Sequence, residues 1–480
     1  MTLPLSPIRA DLRRILQAAL DAADPYEAVR STLSLARHGF RAGGRAYDLR
    51  LIRRVAVVGA GKAAIPMARA VSDVLRDRVE SAFVVTAAAE PVGPTSGIEV
   101  AVAGHPVPDR RGLRAAQRIL KTASSLGAED LLIVLLSGGA SSLLPLPDEG
   151  LTLADKQRVT RLLLRSGAAI AELNAVRKHL SAIKGGRLAA ATRARVLTLI
   201  LSDVGGDDPG VIGSGPTAPD RTTFLDAVQI IRQYGLWERL PIPVRMHLVE
   251  GLGGWRTETP KPQSRLFRRV AHVIVGNNRL ALEAAAKAAR RSGYEIVLIE
   301  DFVTGEAAMV GRWMGALGKH LASRTALPGP LCVLAGGELT VTVRGSGQGG
   351  RAQEFALAAA LAMQGSSGVW AVGFGTDGRD GPTDMAGAIV DGGTVARGKT
   401  KRLPVSASLK QNDSYTFFKK TGSHIVTGPT GTNVNDLYLL LVHPTARAGK
   451  KRGSPRAKDC PGANLSLCMS WSYAIYSFLM

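Results

Sequence analysis

The sequence predicts an α/β fold in two or three domains, and three observations carry that prediction. Short apolar runs end in glycine-rich turns that open helical patterns, first at 55–64 and again at 130–142. The composition is 45% hydrophobic and 5% aromatic with 54 glycines, which suits a soluble chain with many tight strand-to-helix turns. The 480 residues exceed one ordinary core. The strand–helix rhythm also breaks at 250–264, a Gly- and Pro-rich stretch that reads as a surface connection or an interdomain linker, and then restarts.

Charge and cysteine content bound the function. The net charge of +22 could attract nucleic acid or steer anionic substrates. The basic residues are scattered, mostly arginine, with no aromatic-interleaved stripe, so a solvated basic surface is expected and no nucleic-acid partner. Cys332, Cys460 and Cys468 have neither metal spacing nor a disulfide framework, which fits a reducing compartment. Asp11 interrupts the N-terminus before any apolar leader can form, and Arg9, Arg13 and Arg14 fit an amphipathic first helix better than a transit peptide. A cytoplasmic location follows as the expectation.

Taken in order, residues 8–37 carry apolar side chains at helical spacing. A strand then leads into Gly59-Ala60-Gly61-Lys62 and a helix at about 63–76. Glycines let backbone N–H groups approach a ligand, a helix start favours negative charge, and the lysine adds a full positive one. The turn therefore reads as a phosphate or carboxylate site, with a plain structural turn as the alternative. It lacks the first glycine and the hydroxyl of a P-loop. The dinucleotide fingerprint is met by Gly59, Gly61 and Ala64, but its acid is missing after the strand 82–86, where Ala87, Ala88 and Ala89 precede a late Glu90.

His105 lies in a Pro-punctuated loop at 104–109, with a structural and a catalytic reading both open. A helix at 111–126 and the buried-type strand 131–136 lead to Ser137-Gly138-Gly139-Ala140-Ser141-Ser142. This second junction has the chemistry of an oxyanion or phosphate cradle, or of a packing turn; it is no nucleophile elbow, since Gly-x-Ser-x-Gly is absent. After a helix at 153–171, Arg177, Ser181 and Lys184 would share one helical face, suited either to polyphosphate or to solvent. The strand 196–201 ends in a Gly-rich loop with Asp203, Asp207 and Asp208, which could hold Mg²⁺ or take a proton from a substrate hydroxyl, with a plain Asp- and Gly-rich turn as the alternative.

Beyond 264, a strand ends at Asn277 and an Ala-rich helix covers 280–292. A strand at 295–299 and a helix at about 305–323 follow, and the strand from 331 exits through Gly336-Gly337-Glu338, after which 340–343 alternates as if pairing antiparallel. A Gly-rich loop opens a helix at Arg351, well placed for phosphate or carboxylate. The strand 369–374 ends in a loop, 375–384, with the composition of a metal site but without the EF-hand's terminal Glu. Small polar residues at 427–436 precede a last strand, 437–442. The tail differs in character from everything before it. A basic run (Arg447, Lys450, Lys451, Arg452, Arg456, Lys458) precedes 461–480, which carry no charge. Its serines and weak hydrophobicity argue against a membrane anchor.

As an ordered set, these motifs resemble one family, the glycerate 2-kinases of the MOFRL type, some members of which have been labelled hydroxypyruvate reductases. The segments are 59–63, 104–109, 136–143, 174–186 and 201–209, then 336–338, 349–354, 375–384 and 427–436. The resemblance spans roughly 8–445 and excludes the tail. It implies a Rossmann-like first domain (1–250), a smaller MOFRL-like α/β domain (265–446) and an active site in the cleft between them. It also implies phosphorylation of D-glycerate by ATP with Mg²⁺ to 2-phosphoglycerate, and it places functional residues at Lys62, Asp203, Arg351 and Asp377. Around these, the residues expected to bind cofactor are Gly59, Gly61, Ser137, Gly138, Gly139, Ser141, Lys184, Asn277 and Glu338. Those expected to hold metal are Asp203, Asp207 and Asp377. An NAD(P)H-dependent hydroxypyruvate reductase is the alternative enzyme, and a homo-oligomer remains compatible.

Overall fold

The computed structural model describes residues 1–4, 6–87, 97–323 and 327–444. Glu90 and the tail from 447, with Cys460 and Cys468, lie outside the described residues.

Two helices, Arg9–Ala22 and Pro25–Thr32, precede a small antiparallel meander of β1 (Ser34–Ala36), β2 (Gly39–Ala42) and β3 (Arg45–Asp48). The first large sheet follows: β4 (Val55–Ala60), β5 (Val79–Thr86), β6 (Ile98–Val102), β7 (Leu131–Leu136), β8 (Arg195–Leu201) and β9 (Val270–Gly276). Every neighbouring pair is parallel, in the order β6-β5-β4-β7-β8-β9. This is the doubly wound order of a Rossmann-like sheet. Its strands are apolar throughout because both faces are covered: Val55 and Val57 enter one core, Ala56, Val58 and Ala60 the other.

The second sheet is formed by β10 (Glu295–Glu306), β11 (Leu331–Thr340), β12 (Val369–Gly375), β13 (Gly387–Asp391), β14 (His424–Ile425) and β15 (Asp436–Val442), in the order β10-β11-β15-β12-β13-β14. Only the β10–β11 pair is parallel; of the segment 340–343 expected to pair antiparallel, Thr340 ends β11 and pairs parallel with Glu306, and 341–343 lie past the strand. The last strand is central, with all seven residues buried: Leu437, Leu439 and Leu441 on one face, Tyr438, Leu440 and Val442 on the other. One core is continuous from the first sheet to the second through the helices Arg9–Ala22 and Asn278–Arg291.

The structure moves one expected boundary. β9 lies within 265–446, yet it is the edge strand of the first sheet. Nor is 250–264 a free linker. Thr259 Oγ1 donates to Asp220 Oδ2 at 3.0 Å, and Glu258 accepts from the Phe224 N–H at 3.0 Å and pairs with His179 Nε2 at 2.8 Å. Its glycines and prolines shape a turn pinned to the helices Ile170–His179 and Phe224–Gln233, which pack with others into a cluster of their own.

Candidate functional site

The strand order of the first sheet reverses between β4 and β7. In open parallel sheets that reversal opens a crevice at the carboxyl ends of the strands. Both glycine-rich turns lie there, and their hydrogen bonding differs.

In the first turn the Gly61 N–H donates to Val85 O at 3.1 Å, the Lys62 N–H to Gly138 O at 2.9 Å and the Ala63 N–H to Ser137 Oγ at 3.0 Å. A Cβ on Gly59 would lie 2.9 Å from the Leu135 Cβ, and one on Gly61 2.1 Å from Ser137 Oγ. These glycines are there for close packing of one turn under the other. The Gly61 N–H is taken by a protein acceptor, whereas Ser137 Oγ accepts from Ala63 and keeps its own proton to donate at the cavity wall. What the turn leaves free is the Lys62 side chain, which is exposed and has no hydrogen bond or ion pair among the described residues.

In the second turn the Gly138 and Gly139 N–H groups have no partner among the described residues. A Cβ on Gly138 would lie 2.4 Å from Asp203 Oδ2 and 3.7 Å from Asn433 Nδ2, so the loops 201–209 and 427–436 both reach this turn. His105 lies against Gly139, where a Cβ would be 3.1 Å from its Nε2. Burial and then the Lys62 charge hold the imidazole below its usual 6.5. Burial, reinforced by Glu338 and opposed by Lys62, raises the Asp203 carboxyl. A cavity of about 160 Å³ opens here, lined by the turn 137–141, Asn174, Arg177, Asp203 and Gly213.

Two expectations for this wall are corrected. The helix ends at His179, and Ser181 Oγ turns inward to donate to Leu146 O at 2.9 Å, so Arg177, Ser181 and Lys184 share no helical face. Lys184 is buried, and its ammonium donates to Ser141 O at 2.8 Å, Ser141 Oγ at 3.0 Å and Gly213 O at 3.2 Å. All three donors are used, so Lys184 supports the turn from behind rather than reaching a ligand. Burial, then Lys156 and Arg177, pull it well below the ordinary lysine value.

The opposite wall comes from the second sheet. Arg351 opens the helix Arg351–Ala362; its Nε meets Asp436 Oδ2 at 2.6 Å and its Nη1 pairs with Glu338. The buried Asp436 also accepts from the Tyr438 hydroxyl at 2.9 Å. Asp377 accepts the Arg379 N–H at 3.0 Å through one oxygen, and its charge is felt by Asp436. The loop's other acid, Asp380, has a different use. It is buried against the same helix start, accepting the Ala352 and Gln353 N–H groups at 3.0 and 2.7 Å, and burial pushes it up to about 7.

Asp203, Asp207 and Asp377 do not form one metal cluster. Among the described residues no three His, Cys, Asp or Glu side chains gather closely enough to hold an ion. Asp207 instead accepts from Asn277 Nδ2, while Asn277 Oδ1 caps the helix Asn278–Arg291 through the Leu280 N–H at 2.8 Å. The cofactor contact expected of Asn277 is replaced by that bridge. Magnesium needs no such cluster, since it is commonly held by one or two carboxylates plus phosphate oxygens and water.

Residues 331–436 match the MOFRL family and residues 11–249 a family described as a domain of unknown function (DUF4147). Glycerate 2-kinase of Pyrococcus horikoshii is 39% identical over 439 residues, 91% of this chain and 97% of that one. A crystal structure of glycerate kinase from Thermotoga maritima matches with a TM-score of 0.81 at 38% identity, covering 91% of this chain and 99% of that one. The chain belongs to the glycerate 2-kinase family. A protein of Agrobacterium vitis provisionally labelled hydroxypyruvate reductase is 44% identical over 445 residues, 90% of this chain and 94% of that one.

The family's four expected positions thus have distinct settings here: Asp203 is half-buried, Arg351 is paired with carboxylates and, among the described residues, Lys62 is unpaired and Asp377 has one oxygen without a partner. Four further residues were not singled out from sequence. Asp436 anchors Arg351. Asn433 reaches Gly138. Asn278 donates to Val434 O at 2.7 Å and Asp436 O at 3.0 Å, tying 427–436 to the neighbouring helix. Asn174 lines the cavity. The signal for Asp436 and Asn433 was their place at the entry to an apolar strand; Asn278 looked like any helix-start residue.

Proposed function

We propose that this protein transfers the terminal phosphoryl group of ATP, with Mg²⁺, to the 2-hydroxyl of D-glycerate, giving 2-phosphoglycerate. One observation carries the reading: the Gly61, Lys62 and Ala63 N–H groups of the first turn are spent on protein acceptors, while among the described residues the second turn keeps two free N–H groups beside a half-buried carboxylate. A reductase of the dinucleotide-fingerprint type needs the donors of the first turn for its pyrophosphate. A kinase needs donors for phosphoryl oxygens, a cation and a proton acceptor in one place. The named relatives support the same choice.

In this reading the Gly138 and Gly139 N–H groups hold phosphoryl oxygens and Lys62 neutralises charge that develops during transfer. Asp203 takes the hydroxyl proton, its raised carboxyl being closer to a working base than an ordinary aspartate. Arg351, fixed by Asp436, orients the substrate carboxylate with the N–H donors it has left. The free oxygen of Asp377 suits Mg²⁺, which would be held with phosphate oxygens and would offset their charge. Its substrate in this reading is a small molecule. Among the described residues no helix is long and apolar enough to cross a membrane.

Purified protein is given D-glycerate with Mg-ATP, and separately hydroxypyruvate with NADH. ADP formation without NADH oxidation is the expected result, with phosphorus NMR placing the phosphate on the 2-oxygen. NADH oxidation without ADP formation would overturn the proposal.

A further inference from the structure

We propose that Arg177 is the side-chain cation that grips a phosphoryl oxygen in the cavity beside Gly138 and Gly139, with the Asn174 amide as a second donor whose orientation is set from behind by Lys184, Ser141 and Ser214. The proposal deepens the phosphoryl-transfer reading above and rests on it.

Arg177 is half-buried, lines the cavity and has no hydrogen bond or ion pair among the described residues. Lys62, also without a partner among the described residues, is exposed and does not line the cavity, whereas other cations nearby are partnered. Lys178 meets Asp220 at 3.2 Å, Arg187 lies 3.8 Å from Asp148, and Arg351 is held by Asp436 and Glu338. Taking a guanidinium out of water without a counter-charge is unfavourable, and burial lowers the Arg177 value to about 10. The surroundings sharpen the imbalance. Lys156 and Lys184, both buried, lie within its field, and Asp148 is the carboxylate that acts on Lys156. Lys184 has no donor left, and Lys156 donates to Leu146 O at 3.2 Å. The excess positive charge therefore reaches the cavity through Arg177. Its planar fork suits phosphoryl oxygens.

Asn174 is oriented by a chain of defined direction. The Lys184 ammonium donates to Ser141 Oγ, which lies 2.9 Å from Ser214 Oγ and can donate to it. The Ser214 hydroxyl then donates to Asn174 Oδ1 at 3.0 Å. In this arrangement the amide oxygen is the end turned to Ser214. Asn174 Nδ2 has no partner among the described residues and is not a sealed, unsatisfied atom. It is the donor Asn174 offers to the cavity. Lys184, Ser141 and Ser214 are thus positioning residues.

The test uses full-length protein and inorganic pyrophosphate, so that no turnover is needed. Wild type should bind pyrophosphate by calorimetry. Arg177→Met should weaken that binding about 10- to 100-fold, as expected for losing a charge-assisted hydrogen bond. The unliganded melting temperature should hold or rise, because an unpaired buried charge is removed. In the kinase assay the KM for ATP should rise while that for D-glycerate stays. Ser214→Ala, which frees the Asn174 amide without touching the cavity wall, should weaken pyrophosphate by a smaller factor. Arg177→Lys should recover part of the loss. Pyrophosphate affinity unchanged in Arg177→Met, or a lowered melting temperature with intact affinity, would overturn the proposal. If that happened while wild type still made ADP from D-glycerate and ATP, the kinase reading would stand without it. Absence of ADP formation would instead strike the parent reading.

Discussion

Gly138→Ala isolates the geometry at the centre of the site. A methyl group there would lie 2.4 Å from Asp203 Oδ2 and 3.2 Å from its Cγ, whereas ordinary contact begins near 3.4 Å. Gly138 is not among the positive-φ residues, so alanine fits the backbone. The clash is with the end of a short side chain, so the carboxylate gives way by about 1 Å while the fold stays. A misplacement of about 1 Å at a reacting centre costs about 10²-fold in rate, equivalent to about 2.7 kcal/mol. The assay is the initial rate of ADP formation with D-glycerate, beside a thermal melt. The expected outcome is a kcat lower by about 100-fold with a melting temperature within about 2 °C of wild type, since a fully absorbed clash changes stability by less than about 1 kcal/mol. Because the alanine acts through Asp203, it should add little on an Asp203→Asn background, where the carboxylate is already gone. A rate within twofold of wild type would refute the placement of Asp203 at the reacting atoms. Unchanged additivity in the double variant would refute the route through Asp203.

Other substitutions separate chemistry from support. Lys62→Ala should lower kcat by about 10²–10³-fold, the scale of losing one charge-stabilising donor, and leave the melting temperature unchanged because the ammonium has no protein partner among the described residues. Asn278→Ala should leave two buried carbonyls short of a donor and lower stability by about 2–4 kcal/mol, read as a shift of the urea midpoint. Asp380 gives a pH signature. Its folded value of about 7 exceeds the ordinary 3.8, so the folded state binds the proton more tightly and its contribution to stability is lost as pH rises from about 4 through 7. The stability difference between wild type and Asp380→Asn should therefore shrink or reverse across that window, followed by thermal melts from pH 4 to 8; a constant difference would refute the raised carboxyl.

Strands of the first sheet were legible because burial on both faces leaves continuous apolar runs, and their glycine-rich exits mark the carboxyl ends. Which sheet a strand joins was not legible. β9 has the same local character as any other strand, and its pairing with β8 is set by contacts far apart in sequence. Of the two readings of 250–264, a surface connection describes it better than a free linker, for a related reason. Glycine and proline report backbone shape, whereas the bonds from Thr259 and Glu258 to Asp220, Phe224 and His179 are what hold the segment. At the site, residue types were readable but remaining valence was not. Lys184 and Arg177 stand seven positions apart in one basic stretch, yet one has every donor used and the other has no partner among the described residues. Asp377 and Asp380 share one loop, yet one keeps an open oxygen and the other seals a helix start.

The two glycine-rich turns differ because of what roofs them. The first leaves the central strand β4 and meets acceptors on both sides, Val85 O from β5 and Gly138 O and Ser137 Oγ from the turn after β7. The second is the roof. On its far side stands Asp203, which lies against Gly138 without taking its N–H. Donors and acceptor are adjacent but unjoined, so both remain available to a ligand that brings phosphoryl oxygens and a hydroxyl together. The same arrangement has a cost in the absence of metal, since the Asp203 carboxylate repels a bare polyphosphate. Two unit charges about 4 Å apart exchange about 4 kcal/mol at the effective dielectric of a protein surface. Even a third of that is about tenfold in affinity. Asp203→Asn should therefore tighten pyrophosphate binding by about tenfold without Mg²⁺ while abolishing ADP formation, the opposite sign to Arg177→Met. Calorimetry in a metal-free buffer reads the first effect and the coupled rate assay the second. Equal or weaker pyrophosphate binding by Asp203→Asn would mean that the carboxylate does not face the phosphoryl site, and the proton-acceptor role would fall with it.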